Sequence, residues 1–210
     1  MQELFQQFVE NIKNTTLPEY IAVVAGIASV WFSKKENILV YPVGLVNTII
    51  YVYLSFKNHL IGEASVNFYY TIVSIYGWYI WARKDKKQQP VLQISFSNAV
   101  QVRGQILFFL SLYLIIFFVL KYLKEEFYPG VIPWADGFAS ATAFTGMWLM
   151  ARKKVESWYW WIATNIASIP LFFVKGMAFT SVYYFILLIL AVFGWREWRS
   201  KALLHQNTLR

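Results

Sequence analysis

Apolar stretches long enough to cross a bilayer follow one another along this chain, over 18–33, 38–56, 63–82, 105–121, 131–151, 157–174 and 178–198. At about 1.5 Å per helical residue, each matches the ~30 Å hydrocarbon slab. Of the 210 residues, 58% are hydrophobic and only 14% charged, more apolar surface than a soluble domain of this length could bury. The expected fold class is an all-α polytopic membrane protein with seven transmembrane helices. Too little chain remains between the spans for an extramembrane domain, so any activity must lie among the helices.

The net charge of +8 comes from basic residues at span ends, not from one groove or aromatic-interleaved platform, so nucleic acid is not an expected partner. Assigning loops alternately to the two sides puts 14 of the 19 lysines and arginines on the side of the carboxyl terminus. By the positive-inside rule that side is cytoplasmic and the amino terminus lies outside. Phe5, Phe8, Val9 and Ile12 recur at helical spacing before Pro18, so 1–17 reads as an amino-terminal interfacial segment. There is no cysteine, which excludes disulfides and thiolate metal sites.

The two ends of the chain echo each other. At an offset of 117, Glu19 meets Asp136, Trp31 meets Trp148, and Gly77, Trp78 and Trp81 meet Gly194, Trp195 and Trp198; through the middle an offset of 118 pairs Tyr41 with Tyr159 and Asn47 with Asn165. Each copy holds three spans, and one further span separates them, so the copies keep the same orientation and are related by an axis along the membrane normal. The expected organisation is a first three-helix repeat at 18–84, a linker with a connecting span at 85–130, a second repeat at 131–201 and a cytoplasmic tail at 202–210. The run from Leu107 to Leu120 is apolar on every face and suits a lipid-exposed connector.

Catalysis inside a membrane needs carboxylates, histidines or metal ligands, and the register puts every acidic residue at or beyond a span end, with His59 in a loop and His205 in the tail. No metal or cofactor is therefore expected, and no catalytic residue. The absence of an ionisable group at mid-depth favours downhill movement of a solute over ion coupling. A retinal protein would need a lysine in the last span, and 178–195 has none. A membrane-embedded enzyme or a receptor subunit is the alternative from another class.

Uncharged polar and aromatic groups do share helix faces. Trp158, Trp161, Asn165 and Ser168 follow steps of three or four in the sixth span; Asn47 and Tyr51 do so in the second, Asn67 and Tyr70 in the third, and Asp136 and Ser140 in the fifth. These are the expected solute-binding residues, with Asn47 and Asn165 facing each other across the axis. Serines and threonines in membranes are more often interhelical glue. Trp31, Trp78, Trp81, Trp148, Trp195 and Trp198 lie beside basic residues at span ends, as an interfacial belt would.

Tyr41-Pro42-Val43-Gly44 with Asn47 to Tyr53, Tyr76 to Trp81, Trp148 to Lys153, Trp158 to Trp161 through Ser168 to Leu171, and Val192 to Trp195 together resemble the PnuC-type bacterial vitamin transporters, best known for nicotinamide riboside. That resemblance implies a three-plus-one-plus-three fold similar to the SWEET sugar transporters, and residence in the bacterial cytoplasmic (inner) membrane. It also implies facilitated diffusion of an unphosphorylated vitamin that a cytoplasmic kinase then traps. Relatives carry thiamine or riboflavin on the same fold. The bilayer is the other expected partner, and the lipid-facing surface leaves room for a homo-oligomer. The second copy carries Trp158, Trp160, Trp161 and Ser168 where the first has Val40, Pro42, Val43 and Ile50, so recognition is expected to be weighted toward the second repeat.

Overall fold

The computed structural model describes residues 16–57, 61–85, 88, 90–126 and 131–208. These form seven helices: α1 (Leu17–Lys34), α2 (Val40–Lys57), α3 (Ile61–Ala82), α4 (Ala99–Glu126), α5 (Pro133–Ala151), α6 (Ser157–Val174) and α7 (Ala178–Thr208). Among the described residues there is no strand, only two isolated bridges, Lys84 with Pro90 and Ser95 with Lys154. The sixth span has the expected bounds. α4 is longer at both ends, and α7 runs to Thr208, so the expected tail is helical through most of its length. The interfacial helix expected at 1–17, apart from Thr16 and Leu17, lies outside the described residues, as does His59.

α1 packs on α2 and α2 on α3, while α5 packs on α6 and α6 on α7; α1 also meets α7, α3 meets α5, and α4 lies against α5. α5 thus touches three helices, and its sequence permits this. Gly137, Ala139, Ala141, Ala143 and Gly146 are all buried, and a Cβ on Gly137 would lie 3.5 Å from the backbone of Phe117 on α4. Small residues let backbones approach closely in lipid, where apolar side chains give no other drive to associate. α4 is the opposite case. Its apolar stretch has none of its residues buried, and Leu107, Leu114, Ile115 and Phe118 are more than half exposed, as a lipid-facing helix should be.

The tightest core lies at the end of the bundle where α1, α3 and α5 finish. Tyr41 stands edge-on to Trp81 at 5.2 Å, and Trp158 edge-on to Trp198 at 5.5 Å. A Cβ on Gly77 would run into the Tyr41 ring, and one on Gly194 into the Trp158 ring. The glycine of each Gly-Trp-x-x-Trp is therefore a notch for a ring from the preceding helix.

Two belt tryptophans turn out to be core. Trp81 is 6% exposed and Trp198 fully buried, because each indole N–H donates across the molecule: Trp81 to the Ala151 carbonyl on α5, and Trp198 to the Ser33 carbonyl on α1, both at 3.0 Å. Trp31 and Trp78 remain exposed at 47% and 40%. The packing also corrects the middle offset. Tyr41 and Trp158 occupy matching notches, Gly44 faces Ser29 as Trp161 faces Gly146, and all of these pairs are 117 residues apart, not 118.

Trp198→Phe removes the N–H bond to Ser33 and, since phenyl is smaller than indole, leaves a cavity in the fully buried end core. It should lower stability by more than the about 1 kcal/mol of the hydrogen bond alone, read as a fall in the thermal midpoint of detergent-purified protein. Gly194→Val, which collides with Trp158, should fall further.

Candidate functional site

Side chains from both three-helix groups meet in the interior, and most of them are aromatic. Trp161 on α6 lies flat over Gly146, where a Cβ would come within 3.3 Å of the indole. The ring of Tyr70, on α3, is 6.3 Å from Trp161 and 5.9 Å edge-on from Phe144 of α5. Tyr69 is 4.5 Å from Phe144 by ring centroids and donates its hydroxyl to the Phe144 carbonyl at 3.2 Å. The Phe144 main chain is thus fixed from across the interface.

A second aromatic group continues from the first. Tyr184 stacks on Phe172 of α6 at 5.2 Å, and Tyr183 stands edge-on to Tyr184 at 5.6 Å. The Tyr70 phenol is close enough to those of Tyr183 and Tyr184 to interact electrostatically, and Tyr183 is likewise close to Tyr51. Tyr183 reaches α1 at Gly26, where a Cβ would collide with its hydroxyl and come 2.9 Å from the Asn47 amide. Gly26 is the notch that admits this hydroxyl. Asn47 donates to the Ala22 carbonyl at 2.7 Å, which spends one amide hydrogen on α1.

Four described residues carry a buried side-chain atom without a hydrogen-bond partner: Tyr41, Trp158, Trp195 and Asn165, the last on the face of Trp161. Asn165 is the one with an amide to offer. It is 2% exposed, and its Oδ1 has no hydrogen-bond partner. It stands one turn from Trp161 on the same face of α6, with Ser168, 1% exposed, at the next step. Its neighbour Thr164 is satisfied by the Trp160 carbonyl and the Thr142 hydroxyl, both at 2.9 Å. A buried amide oxygen without an internal partner is costly to keep unless something fills its coordination.

Of the expected site residues, the structure joins Trp161 with Tyr70, and joins Tyr51 and Asn47 through Tyr183. Asn165 and Ser168 extend the Trp161 face. Asn67 sits a turn from Tyr70, with its carbonyl accepting from Thr71 at 2.9 Å, and Ser140 is partly covered a turn from Phe144. Two residues are elsewhere. Trp158 is packed into the end core against Trp198 and Gly194, since its place in the first turn of α6 puts it at the mouth of the bundle. Asp136, at the opposite end, accepts from the Ile132 N–H at 2.7 Å and pairs with Lys175. Asn47 and Asn165 do not mirror each other: at the constant offset, Thr164 matches Asn47, and both bond toward the first helix of their own group.

Phe172 continues the stripe of Trp161, Asn165 and Ser168 that helical spacing gives for the sixth span; Tyr183, Tyr184 and Phe144 were not foreseen. They lie in near-continuous apolar runs whose faces cannot be told apart by period, and the only signal was the pair of adjacent tyrosines in a lipid-length helix. Among the described residues no three His, Cys, Asp or Glu side chains come together. The arrangement can hold a flat, polar-edged solute between rings and offer it hydroxyls and an amide oxygen, and it presents no nucleophile or acid–base pair.

Comparison with known proteins is consistent with this. Residues 16–200 match the family described as nicotinamide mononucleotide transporter. The nicotinamide riboside transporter PnuC of Escherichia coli is 24% identical over 204 residues, covering 88% of this chain and 85% of its own. The riboflavin/roseoflavin transporter RibM of Streptomyces davaonensis is 25% identical over 183 residues, covering 86% and 83%. A crystal structure of the vitamin B3 transporter PnuC superposes with a TM-score of 0.70 at 23% identity, covering 96% of this chain and 89% of that one.

If Asp136 is structural, Asp136→Asn keeps an oxygen for the Ile132 N–H and loses only the ion pair, whereas Asp136→Ala loses both. Alanine should therefore cost about 1 kcal/mol more than asparagine, the usual worth of a helix cap, as ranked by thermal midpoints in detergent.

Proposed function

The chain belongs to the nicotinamide mononucleotide transporter family, a family of membrane transporters and not of enzymes, and we propose that it carries nicotinamide riboside across the bacterial cytoplasmic membrane. The observation that carries this reading is the interior cluster of Trp161, Tyr70, Tyr183 and Tyr184 beside the unpartnered Asn165 oxygen. Nicotinamide riboside has a permanently positive ring, which Trp and Tyr faces attract by about 0.5–2 kcal/mol. It also has a carboxamide and ribose hydroxyls that can donate to the Asn165 Oδ1. Similarity to PnuC proteins supports the same solute. Riboflavin is the second reading, favoured by the similarity to RibM, since a flavin ring would also lie between aromatic faces; thiamine remains a third candidate.

The proposed architecture is three-plus-one-plus-three, with parallel repeats related by a two-fold axis along the membrane normal. It is supported by the reciprocity of the contacts: the first helix of each repeat meets the third helix of the other, α1 with α7 and α5 with α3, while α4 stays outside. The end carrying Lys34, Arg83, Arg152 and Arg196 is cytoplasmic in this reading, by the distribution of 14 basic residues against 5. Recognition is weighted to the second repeat, which supplies Trp161, Asn165, Ser168, Phe172, Tyr183 and Tyr184. No charged side chain described here lies at mid-depth, so movement is facilitated diffusion, and a kinase inside the cell makes uptake net by phosphorylating the vitamin.

Purified protein in liposomes should equilibrate nicotinamide riboside without a pH or sodium gradient, faster than thiamine or riboflavin, and should accumulate product only when a kinase and ATP are enclosed. Mass spectrometry should recover unmodified solute from vesicles lacking the kinase; chemical conversion there, or accumulation driven by a pH or sodium gradient with the membrane potential clamped at zero, would overturn the proposal.

Trp161→Ala should weaken binding about 2- to 30-fold, the range of a cation–π contact. Asn165→Ala should weaken it about 2- to 13-fold, as loss of one hydrogen bond does. Because Asn165 Oδ1 makes no internal bond, its removal breaks none in the protein, so a fall in the thermal midpoint without solute comes from lost packing alone and should be smaller than that of Trp198→Phe. Titration of intrinsic tryptophan fluorescence with nicotinamide riboside, using Asn165→Ala with its tryptophans intact, separates the two effects.

A further inference from the structure

α1 and α5 end in the same way. The N–H groups of Glu36 and Asn37 donate to Ser33 and Phe32, both at 2.9 Å, and those of Lys153 and Lys154 donate to Met150 and Leu149, both at 3.0 Å. This doubled C-terminal cap needs a residue in the left-handed region, normally glycine. Here the residues are Glu36, with φ of 58°, and Lys153, with φ of 51°. A side chain is kept at each position against the backbone preference, and the two side chains meet.

The Lys153 ammonium lies 2.7 Å from Glu36 Oε1. The other oxygen of Glu36 faces Lys201 at 3.5 Å, and Lys201 in turn reaches Glu197 at 3.6 Å. Lys153 is 4% exposed and lies over the Trp81 ring at 4.6 Å. Directly inside the pair, the Ser33 hydroxyl donates to Met150 Sδ at 2.9 Å. Glu36 belongs to the first three-helix group; Lys153 and Lys201 belong to the second.

The linker before α4 lies under the same end: it begins on the first group, where the Val91 N–H donates to the Arg83 carbonyl at 3.1 Å, and its later part bonds to the second. Ser95 donates its N–H to the Lys153 carbonyl and accepts from the Val155 N–H, both at 3.1 Å. Ser97 donates its N–H and hydroxyl to Glu156 at 2.9 Å, and Ile94 is buried in the end core. The Glu36 contacts therefore lie on the parting surface between two bodies. A cavity of about 420 Å³ lined in part by Glu36, Ile94, Lys201 and His205 opens beside the pair, so separated ions have water at hand. Desolvation, the usual obstacle to breaking a buried ion pair, is relieved there.

At the outer end the described ion pair, Asp136 with Lys175, joins α5 to α6 within one group. Every described ion pair between the groups is at the cytoplasmic end.

We propose that Glu36 and Lys153 form the inner gate of the transport cycle: their ion pair holds the cytoplasmic mouth shut in this conformation and parts each time solute is released inside. The proposal rests on the transporter reading and on the cytoplasmic placement of the basic end. Its residues act on release, not on the solute.

The chain has no cysteine, so a single Ser29→Cys, one turn inside Ser33 on α1, reports access from the cytoplasm. The probe is a membrane-impermeant maleimide applied to the cytoplasmic face of oriented vesicles, without solute. Glu36→Gln should raise the labelling rate at least tenfold, and adding Lys153→Gln to it should raise the rate no more than about twofold further, since the pair is already broken. Glu36→Gly is the decisive variant. Glycine suits the left-handed cap, so a merely structural Glu36 predicts a thermal midpoint no lower and labelling unchanged, whereas a gate predicts faster labelling despite the better cap. Unchanged labelling in Glu36→Gly would overturn the proposal, as would effects of Glu36→Gln and Lys153→Gln on labelling that simply multiply in the double variant. Fluorescence titration with nicotinamide riboside should stay within twofold of the parent in Glu36→Gly. Failure of the parent itself to bind would sink the solute assignment while leaving the accessibility result to judge the gate.

Discussion

Apolar side chains gain little by leaving lipid for one another, so helices in a bilayer are held by close packing and by hydrogen bonds whose alternative is an unsatisfied group. The reciprocal indole bonds of Trp81 to Ala151 and Trp198 to Ser33 are of this kind. Each reaches a carbonyl in the last turn of a helix, where intrahelical donors run out: Ala151 gains a donor from the other group, and Ser33, which already accepts from the Glu36 N–H, gains a second. The glycine notches at Gly77 and Gly194 exist to let Tyr41 and Trp158 stand behind those indoles, and the Glu36–Lys153 pair closes over them. Most of what fixes the two groups relative to each other is therefore concentrated at one end. The middle is left to rings in partial contact, which is the part that must accept and release a solute.

Matching contacts do not make the two groups equivalent in chemistry. Where α2 presents Gly44 to Ser29, α6 presents Trp161 to Gly146. The pair has been exchanged: the large residue moved to the middle helix and the small one to the first. One group thereby gains a ring that projects inward over a flat backbone, and the other gains only a close helix contact. The same holds a turn further on, where Asn47 is spent on the Ala22 carbonyl but Thr164 and Thr142 satisfy each other and leave Asn165 free of that duty. In the proposed site a solute would meet the functional wall on one side and a supporting wall on the other.

The spans were legible because the bilayer enforces length and polarity on every helix that crosses it, and the duplicated Gly-Trp-x-x-Trp fixed the outer register correctly. The middle register was misread because matching by identity prefers Tyr41 with Tyr159 and Asn47 with Asn165, whereas packing matches whatever fills the notch, a tyrosine in one copy and a tryptophan in the other. Trp81 and Trp198 were read as belt residues for a similar reason: nearness to a span end says nothing about whether a side chain turns outward or across the axis. Helical spacing placed Trp158 on the same face as Trp161 and Asn165, and that is true, but a face runs the length of a helix and depth decides which part of it is interior. The adjacent tyrosines at 183 and 184 did not by themselves point inward, because the partner of Tyr183, the Gly26 notch, is on the first helix of the other group.

The described charged side chains lie at helix ends and in turns, with none at mid-depth. A conformational change that opens one mouth and closes the other then carries no fixed protein charge through the membrane field, and the ions of Glu36, Lys153 and Lys201 move only within the aqueous margin. The field is worth about 2.3 kcal/mol per elementary charge per 100 mV, so it acts on transport only through the charge of the solute itself. For a vitamin with a fixed positive ring, an inside-negative potential biases the equilibrium inward with no coupling ion and no intramembrane carboxylate. A neutral solute on the same scaffold would feel no such bias and would depend wholly on chemical trapping. An aromatic, uncharged binding wall is then the arrangement that serves both, because it can hold a cation without presenting a counter-charge that would have to be left behind at release.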